Sequence, residues 1–221
     1  LKKNKTKNKK IKVGYFSGDF YDHPVLHTMT NIFKNHNRSN FEIYAFSHTP
    51  KEKNNIWKDS VVGFFTKFYE ISDMSDEDVF KLVKKEKIDI AVNLSGLTKY
   101  SRTSMFYNRV AAIQINYLGY PGTMGLNSID YIIADSTVIP KTDQKHYLEK
   151  VSYLPKCYIP SSNNLFLKKS NKHFSRSELN LPEKEIVFCA FHNPHKINPE
   201  IFDVWIKILK RTKKSVLWIK S

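Results

Sequence analysis

Two histidines near the start of the chain have the residue type and the spacing for polar catalysis. His23 and His27 stand on either side of a possible helix start, where Pro24 suits the first turn. Residues four apart lie on one face of a helix, so the two imidazoles are predicted to share a face. An imidazole can donate, accept or transfer a proton near neutral pH. The segment HPVLH lacks the glutamate of an HExxH zinc helix, so the spacing does not favour a metal site.

The residues before the histidines predict the element that positions them. Residues 11–16 have the β-branched and aromatic content of a buried strand, and Ser17, Gly18 and Asp19 end it. This is a strand–loop–helix unit with its imidazoles after the carboxyl end of the strand, where open α/β sheets bind their ligands. A surface or purely structural role for both histidines is the alternative, and this stretch alone does not decide between them.

Alternating strands and helices are predicted along the rest of the chain. Strands are expected at residues 41–46, 88–94, 112–117, 130–134 and 151–155, with a short strand at 61–69. A helix is expected after Ser75, with acidic residues in its first turn and lysines in its last. Residues 119–125 contain three glycines and a proline, which predicts an irregular loop. Such a loop brings backbone N–H groups close to a ligand or is a plain turn.

Composition and pattern divide the 221 residues into four parts. Residues 1–10 are predicted to be a disordered basic tail or linker, and residues 11–160 an α/β lobe. Residues 161–180 are polar and read as a linker. In residues 181–221 the pattern restarts with a strand, a helix capped by Asn198, and a second strand. Two strands and one helix are too small to be stable alone, so this part is predicted to be the start of a truncated second lobe.

Charge and cysteine content limit the class of protein. The net charge of +15 is typical of polyanion binders, but the lysines are spread over the whole chain, so nucleic-acid binding is not favoured. The sequence contains no apolar run of about 18 residues, so no membrane span is predicted. Cys157 and Cys189 form no CxxC motif, Cys189 is expected to be a buried thiol, and reduced cysteines fit a cytoplasmic protein.

Five segments in order carry a resemblance to a known family. They are IKVGYFSGDFYDHPVLH, NLSGLTKYSR, IQINYLGYPGTMGLNSIDYIIAD, YLEKVSYLP and FCAFHNPHKINPEIFDVWIKILKRTKKSVLWIK. Over residues 11–220 the chain resembles the catalytic region of protein O-GlcNAc transferases, a family that includes Spindly-type O-fucosyltransferases and bacterial relatives. The resemblance implies the GT-B type of α/β fold, with two Rossmann-like lobes, a nucleotide sugar bound mostly by the second, and an acceptor peptide in the cleft. Family members usually carry upstream tetratricopeptide repeats, invert the anomeric centre and need no metal or other cofactor.

The resemblance also implies roles for individual residues. His23 matches an active-site histidine near acceptor and sugar, and Lys196 matches a lysine that contacts the donor diphosphate. A fixed ammonium just before a helix N-terminus would offset charge on a departing diphosphate. The remaining candidates for substrate or donor binding are His27, Thr98, Gly119, Pro121, Gly122, Thr123 and Asn193.

Two positions depart from many bacterial relatives, which read DLxGHT. Here Asn93 replaces the aspartate, as in animal forms, and Leu97 replaces a histidine. The predicted function is a protein O-glycosyltransferase that moves N-acetylglucosamine from UDP-GlcNAc to Ser or Thr, with this fragment alone inactive. GDP-fucose as donor, and a non-catalytic relative that binds peptide or nucleotide, stay open as alternatives.

Overall fold

The computed structural model describes residues 9–53, 56–160 and 171–220. It divides into two units, and the division falls between residues 167 and 168. Most of the predicted tail, residues 1–10, and half of the predicted linker, residues 161–180, lie outside the described residues.

The first unit is built on a parallel sheet of seven strands. The strands are β1 (Ile11–Ser17), β2 (Phe41–Ser47), β3 (Lys67–Glu70), β4 (Ile90–Asn93), β5 (Ile113–Tyr117), β6 (Tyr131–Ala134) and β7 (Lys150–Tyr153). Their order in the sheet is β3-β2-β1-β4-β5-β6-β7. The order reverses between β1 and β4, so the first unit has a switch point at the carboxyl ends of these two strands.

Three helices pack with this sheet: α1 (Pro24–Asn35), α2 (Ile56–Val62) and α3 (Asp76–Glu86). Short 3-10 turns lie at Thr103–Phe106 and Lys141–His146. The prediction of a strand starting at residue 61 was wrong, because residues up to 62 are helical and the strand begins at Lys67. Val61 lies in helix α2 and is fully buried, so this apolar residue packs the helix against the core and does not belong to a strand.

The end signals of helix α3 are confirmed. The Ser75 hydroxyl accepts a hydrogen bond from the Asp78 amide at 3.1 Å, which caps the first turn. Three acidic residues follow in that turn, and lysines close the helix, as the macrodipole favours. Lys87 ends the helix in the left-handed conformation, with φ 56°.

The core of the first unit fills both faces of the sheet. On one face, Leu26 and Phe33 of α1 pack with Ile43. On the other, the rings of Phe16 and Phe46 stack at 4.5 Å. All five of these side chains are at most 1% exposed. Burying large apolar side chains on both faces fixes β1 and β2 in register, and with β1 the loop that follows it.

The second unit has two parallel strands, β8 (Ile186–Ala190) and β9 (Ser215–Ile219), joined through a 3-10 turn at Pro194–Lys196 and helix α4 (Pro199–Arg211). Ala190, at 6% exposed, is the one buried apolar residue among those described here. Cys189 is exposed, so the prediction of a buried thiol was wrong. The physical reason is that two strands and one helix provide too few neighbours to cover it. None of the described helices in either unit is long and apolar enough to cross a bilayer.

Candidate functional site

A pocket of about 320 Å³ opens at the switch point of the first unit. Its walls come from the loops that follow β1, β4 and β5. The lining residues are Asp19, Tyr21, His23, Val25, Thr98, Lys99, Tyr100 and Gly119. The pocket therefore brings together three of the candidates predicted from the sequence, one from each loop, and joins polar groups that are far apart in the chain.

The start of helix α1 fixes His23. Its backbone is extended and its side chain is the N-cap, with Nδ1 accepting a hydrogen bond from the Val25 amide at 3.3 Å. Pro24 occupies the first turn, where it leaves no donor unsatisfied. Because Nδ1 is the acceptor, a neutral ring carries its proton on Nε2. In this arrangement His23 presents a hydrogen-bond donor through its second nitrogen.

Asp19 stands behind His23 and was not identified from the sequence. Its Oδ1 lies 3.7 Å from His23 Nδ1, and its side chain is only 5% exposed. Burial raises the pKa of the Asp19 carboxyl, and the nearby His23 partly offsets this. When Asp19 is ionised, its negative charge lies beside Nδ1 and would stabilise a proton on that nitrogen. The four-residue spacing between Asp19 and His23 was visible in the sequence, but the loop that brings them together was not.

His27 lies in a different environment from His23. Its Nε2 is 2.8 Å from Asp22 Oδ1, and its ring meets the Trp57 ring edge-on at 4.8 Å. The residues lining the pocket do not include His27. Pro24 starts the helix as predicted, but the two histidines do not share the pocket: His23 lines it near Asp19, whereas His27 pairs with Asp22.

The loop after β4 is organised by Asn93. Its Oδ1 accepts hydrogen bonds from the amides of Ser95 at 3.1 Å and Gly96 at 3.3 Å. The Thr98 hydroxyl donates to the Ser95 carbonyl at 2.8 Å, which fixes Thr98 in the pocket wall. Leu97, which the resemblance matches to a histidine of many bacterial relatives, is 52% exposed and offers no polar group.

Gly119 lies in the pocket wall because it has no side chain. A Cβ there would come within 2.2 Å of the Leu94 carbonyl oxygen. Its amide donates to the carbonyls of Leu94 and Tyr117, both at 3.1 Å, and so is not available to a ligand. Gly119 therefore contributes close packing of the β4 and β5 loops.

Three further candidates, Pro121, Gly122 and Thr123, make contacts within the first unit and do not line the pocket. The Pro121 carbonyl accepts from the Tyr147 hydroxyl at 3.0 Å, and the Gly122 carbonyl accepts from Asn116 Nδ2 at 3.3 Å. The Thr123 hydroxyl donates to Glu149 at 2.7 Å. These contacts agree with the alternative of a structural turn in this part of the loop.

Lys196 and Asn193 lie in the second unit. The Asn193 side chain accepts from the His195 amide at 3.4 Å and caps the 3-10 turn. Lys196 ends that turn, two residues before Asn198, which caps α4 by accepting from the Ile201 amide at 2.8 Å. The Lys196 side chain is exposed. Across residues 9–53, 56–160 and 171–220, no group of three or more histidine, cysteine or acidic side chains is arranged to hold a metal ion.

A parallel sheet with this strand order and a polar pocket at its switch point defines a Rossmann-like α/β protein. The chain belongs to glycosyl transferase family 41, whose sequence model matches residues 1–174 and 167–221. The family predicted from the five sequence segments is therefore confirmed.

Curated relatives match nearly all of the chain. It is 36% identical, over 96% of its length, to a protein of Arabidopsis thaliana named probable UDP-N-acetylglucosamine–peptide N-acetylglucosaminyltransferase SEC, of which it covers 22%. It is 31% identical, over 98% of its length, to the protein of the same enzyme name called SPINDLY in Oryza sativa, of which it covers 23%. The chain thus spans about a quarter or less of these relatives.

Solved structures agree with the fold. An O-GlcNAc transferase mutant of Thermobaculum terrenum superposes with a TM-score of 0.83 at 25% identity, covering 96% of this chain and 39% of that one. The lipopolysaccharide galactosyltransferase WaaB superposes with a TM-score of 0.53 at 13% identity, a likeness of fold alone. The predicted GT-B class of α/β fold is confirmed.

Proposed function

We propose that the polypeptide containing this chain transfers N-acetylglucosamine from UDP-GlcNAc to Ser or Thr hydroxyls of proteins, with inversion at the anomeric carbon. The observation that carries this proposal is the switch-point pocket, in which His23 is backed by the buried Asp19 in a chain of family 41. The enzyme names of the curated relatives support the donor and the peptide acceptor.

In this reaction the acceptor oxygen forms a bond to the anomeric carbon while the bond from that carbon to the diphosphate breaks, and the proton of the acceptor hydroxyl passes to the departing diphosphate. We assign His23 to an oxygen of the acceptor or the sugar, to which its Nε2–H donates in the tautomer set by Val25. His23 can act as a base only in the other tautomer, in which the ring proton is on Nδ1 and Nε2 is free to accept. Asp19 Oδ1 lies 3.7 Å from Nδ1. Thr98 and Gly119 shape the pocket wall.

The donor is assigned to the second unit. We propose that Lys196 contacts the donor diphosphate and that Asn193 fixes the turn carrying it. A cation at the diphosphate stabilises the leaving group as its charge grows, which lowers the barrier more than it strengthens ground-state binding. Pro121, Gly122 and Thr123 support substrate binding indirectly, through the contacts that hold their loop. His27, on helix α1, does so through its contact with Asp22. The chemistry requires no metal or cofactor besides the nucleotide sugar.

The location we propose is cytoplasmic, because Cys157 and Cys189 are both free and exposed. Exposed thiols stay reduced in that compartment.

The test uses the full-length polypeptide with a serine-containing peptide, and mass spectrometry of the peptide. UDP-GlcNAc should add one N-acetylhexosamine, and GDP-fucose should add nothing. His23→Ala should abolish most of the transfer. If sugar is transferred from GDP-fucose and not from UDP-GlcNAc, the donor proposed here is wrong and GDP-fucose takes its place.

A non-catalytic relative is the competing function, and the exposed Leu97 is the observation that favours it. Binding of UDP-GlcNAc with no transfer to any peptide or protein acceptor would establish that alternative.

A further inference from the structure

A group of cationic and aromatic side chains surrounds the mouth of the switch-point pocket. Lys53 Nζ lies 5.3 Å from the centre of the Tyr21 ring and 5.4 Å from that of Tyr100. Lys99 Nζ lies 5.1 Å from the Tyr100 ring. Tyr21, Lys99 and Tyr100 line the pocket itself. We call these four residues the basic–aromatic rim.

Tyr100 holds the rim together in a strained backbone conformation. Its φ is 62°, which a bulky residue rarely adopts. The conformation is fixed by packing, since a Cβ on Gly18 would lie 2.7 Å from the Tyr100 carbonyl oxygen. Backbone strain of this kind persists where surrounding structure enforces it, and it is concentrated at binding sites. This conformation places the Tyr100 ring within 5.4 Å of both lysine ammonium groups at the pocket.

The two rim lysines carry uncompensated charge. Within the part of the chain that the structure describes, no carboxylate forms an ion pair with Lys53 or Lys99. Asp19 is the acidic residue of the pocket wall, and it faces His23. Stacking on a tyrosine face leaves an ammonium free to contact an anion while it limits the motion of the side chain.

We propose that the basic–aromatic rim binds an acidic side chain of the acceptor protein next to the Ser or Thr that enters the pocket. This rests on the proposed function for the place of the acceptor. A carboxylate on the peptide would contact the two ammonium groups, and the rings would cover the neighbouring peptide backbone. The rim thus selects acceptors with Asp or Glu close to the modified residue.

The experiment compares two fluorescent peptides that differ only in three residues flanking one serine, Glu in one and Gln in the other. Binding to the full-length polypeptide is followed by anisotropy at low and at physiological salt. The Glu peptide should bind about tenfold more tightly, the sum of two exposed charge contacts. The double substitution Lys53→Gln with Lys99→Gln should reduce this preference to twofold or less.

The matched control removes two charges outside the rim. Lys84→Gln with Lys85→Gln lowers the net charge equally, on helix α3, where Lys84 lies 4.4 Å from the Phe80 ring. The preference for Glu should persist in this variant. If both double variants lose it equally, or if the unsubstituted protein shows none, attraction by overall charge explains binding and the proposal is overturned.

The role of the strained residue is tested by Tyr100→Gly, which keeps the backbone conformation accessible and removes the ring. The preference for Glu should fall about threefold, because the lysines lose their common contact. Lys87→Gly relieves the same type of strain at the end of α3 and should leave it unchanged. An unchanged preference in Tyr100→Gly would remove Tyr100 from the proposal.

Sugar transfer is measured separately on the same peptides. A Glu preference in binding without transfer to either peptide contradicts the proposed function and leaves the rim intact. Transfer at equal kcat/KM to both peptides, with equal affinities, contradicts the rim and leaves the proposed function intact.

Discussion

The two units follow the same local rules and reach different degrees of burial. Helix α1 starts with a capping His23 and Pro24, and helix α4 starts with a capping Asn198 and Pro199. In the first unit both faces of a seven-stranded sheet are covered, whereas in the second Ala190 alone is buried among the described apolar residues. Caps and apolar periodicity are therefore enough to specify elements, and a core requires enough layers to cover them.

The same difference separates the two principal candidate residues, His23 and Lys196. His23 lies between a buried carboxylate and a helix amide, so the first unit fixes its position. Lys196 is exposed at the end of a short 3-10 turn. Position is thus determined tightly in one unit and loosely in the other. Four measurements test this comparison.

The largest effect is expected at His23 in the full-length enzyme. His23→Ala should lower kcat about 10³-fold, the loss of one preorganised donor at the reacting centre. His23→Gln, which retains a donor but not a base, should recover most of this if Nε2–H is the functional group. Failure of glutamine to recover activity, together with loss of the acidic limb in the pH profile of kcat/KM, would assign His23 as a base paired with Asp19.

Lys196→Ala should lower kcat about 10²-fold and weaken nucleotide diphosphate binding less, because the leaving group gains charge in the transition state. Lys196→Arg should recover little, since a planar fork does not replace a compact ammonium. Lys207→Ala, on helix α4, is the control. Equal and small effects of Lys196→Ala and Lys207→Ala on steady-state kinetics would make Lys196 an ordinary surface lysine.

The next effect concerns the stability of the first unit against acid. His48 is buried and its two ring nitrogens have no hydrogen-bond partner. Burial, with a smaller contribution from Arg102 and an opposing one from Asp76, lowers the pKa of His48 from 6.5 to about 4. The unfolded chain therefore binds the proton first, so stability is complete above pH 6.5 and falls as the pH drops toward 4. The loss should be about 3 kcal/mol at most.

Denaturant unfolding of the first unit between pH 7 and 4 measures this effect. His48→Leu should flatten the dependence in this range, because it removes the titrating group. His195→Leu, at an exposed site in the second unit, should leave the dependence as it is. The same slope in the unsubstituted protein and in His48→Leu would contradict the assignment.

The smallest expected effect is the loss of stability when one methylene group is removed from an isoleucine in each unit. Ile43 is 0% exposed and Ile208 is 41% exposed. Ile43→Val should destabilise the first unit by about 1 kcal/mol. Ile208→Val should change the second by less than about 0.5 kcal/mol. Hydrogen exchange, read peptide by peptide, reports each unit separately. A larger loss at Ile208 would show that the second unit is covered in solution.

The sequence predicted most of the elements because their signals are local. Ser75 and the charges that follow it specified α3, and Asn198 with Pro199 specified the start of α4. The strand after position 60 was misplaced because a short helix buries Val61 with an apolar pattern that also suits a strand. Cys189 was misjudged because an apolar sequence predicts a buried strand only when other elements cover it.

The sequence by itself determined the family and the parallel α/β class through ordered motifs, and it predicted His23 as a candidate from its place at a helix start. The tertiary structure alone decided what surrounds His23. Asp19, Thr98 and Gly119 come from loops after three strands, and only the sheet order joins them at one switch point. It also separated His27 from that pocket. Local interactions encode each element, but the neighbours of a side chain depend on strand order, which no short stretch of sequence contains.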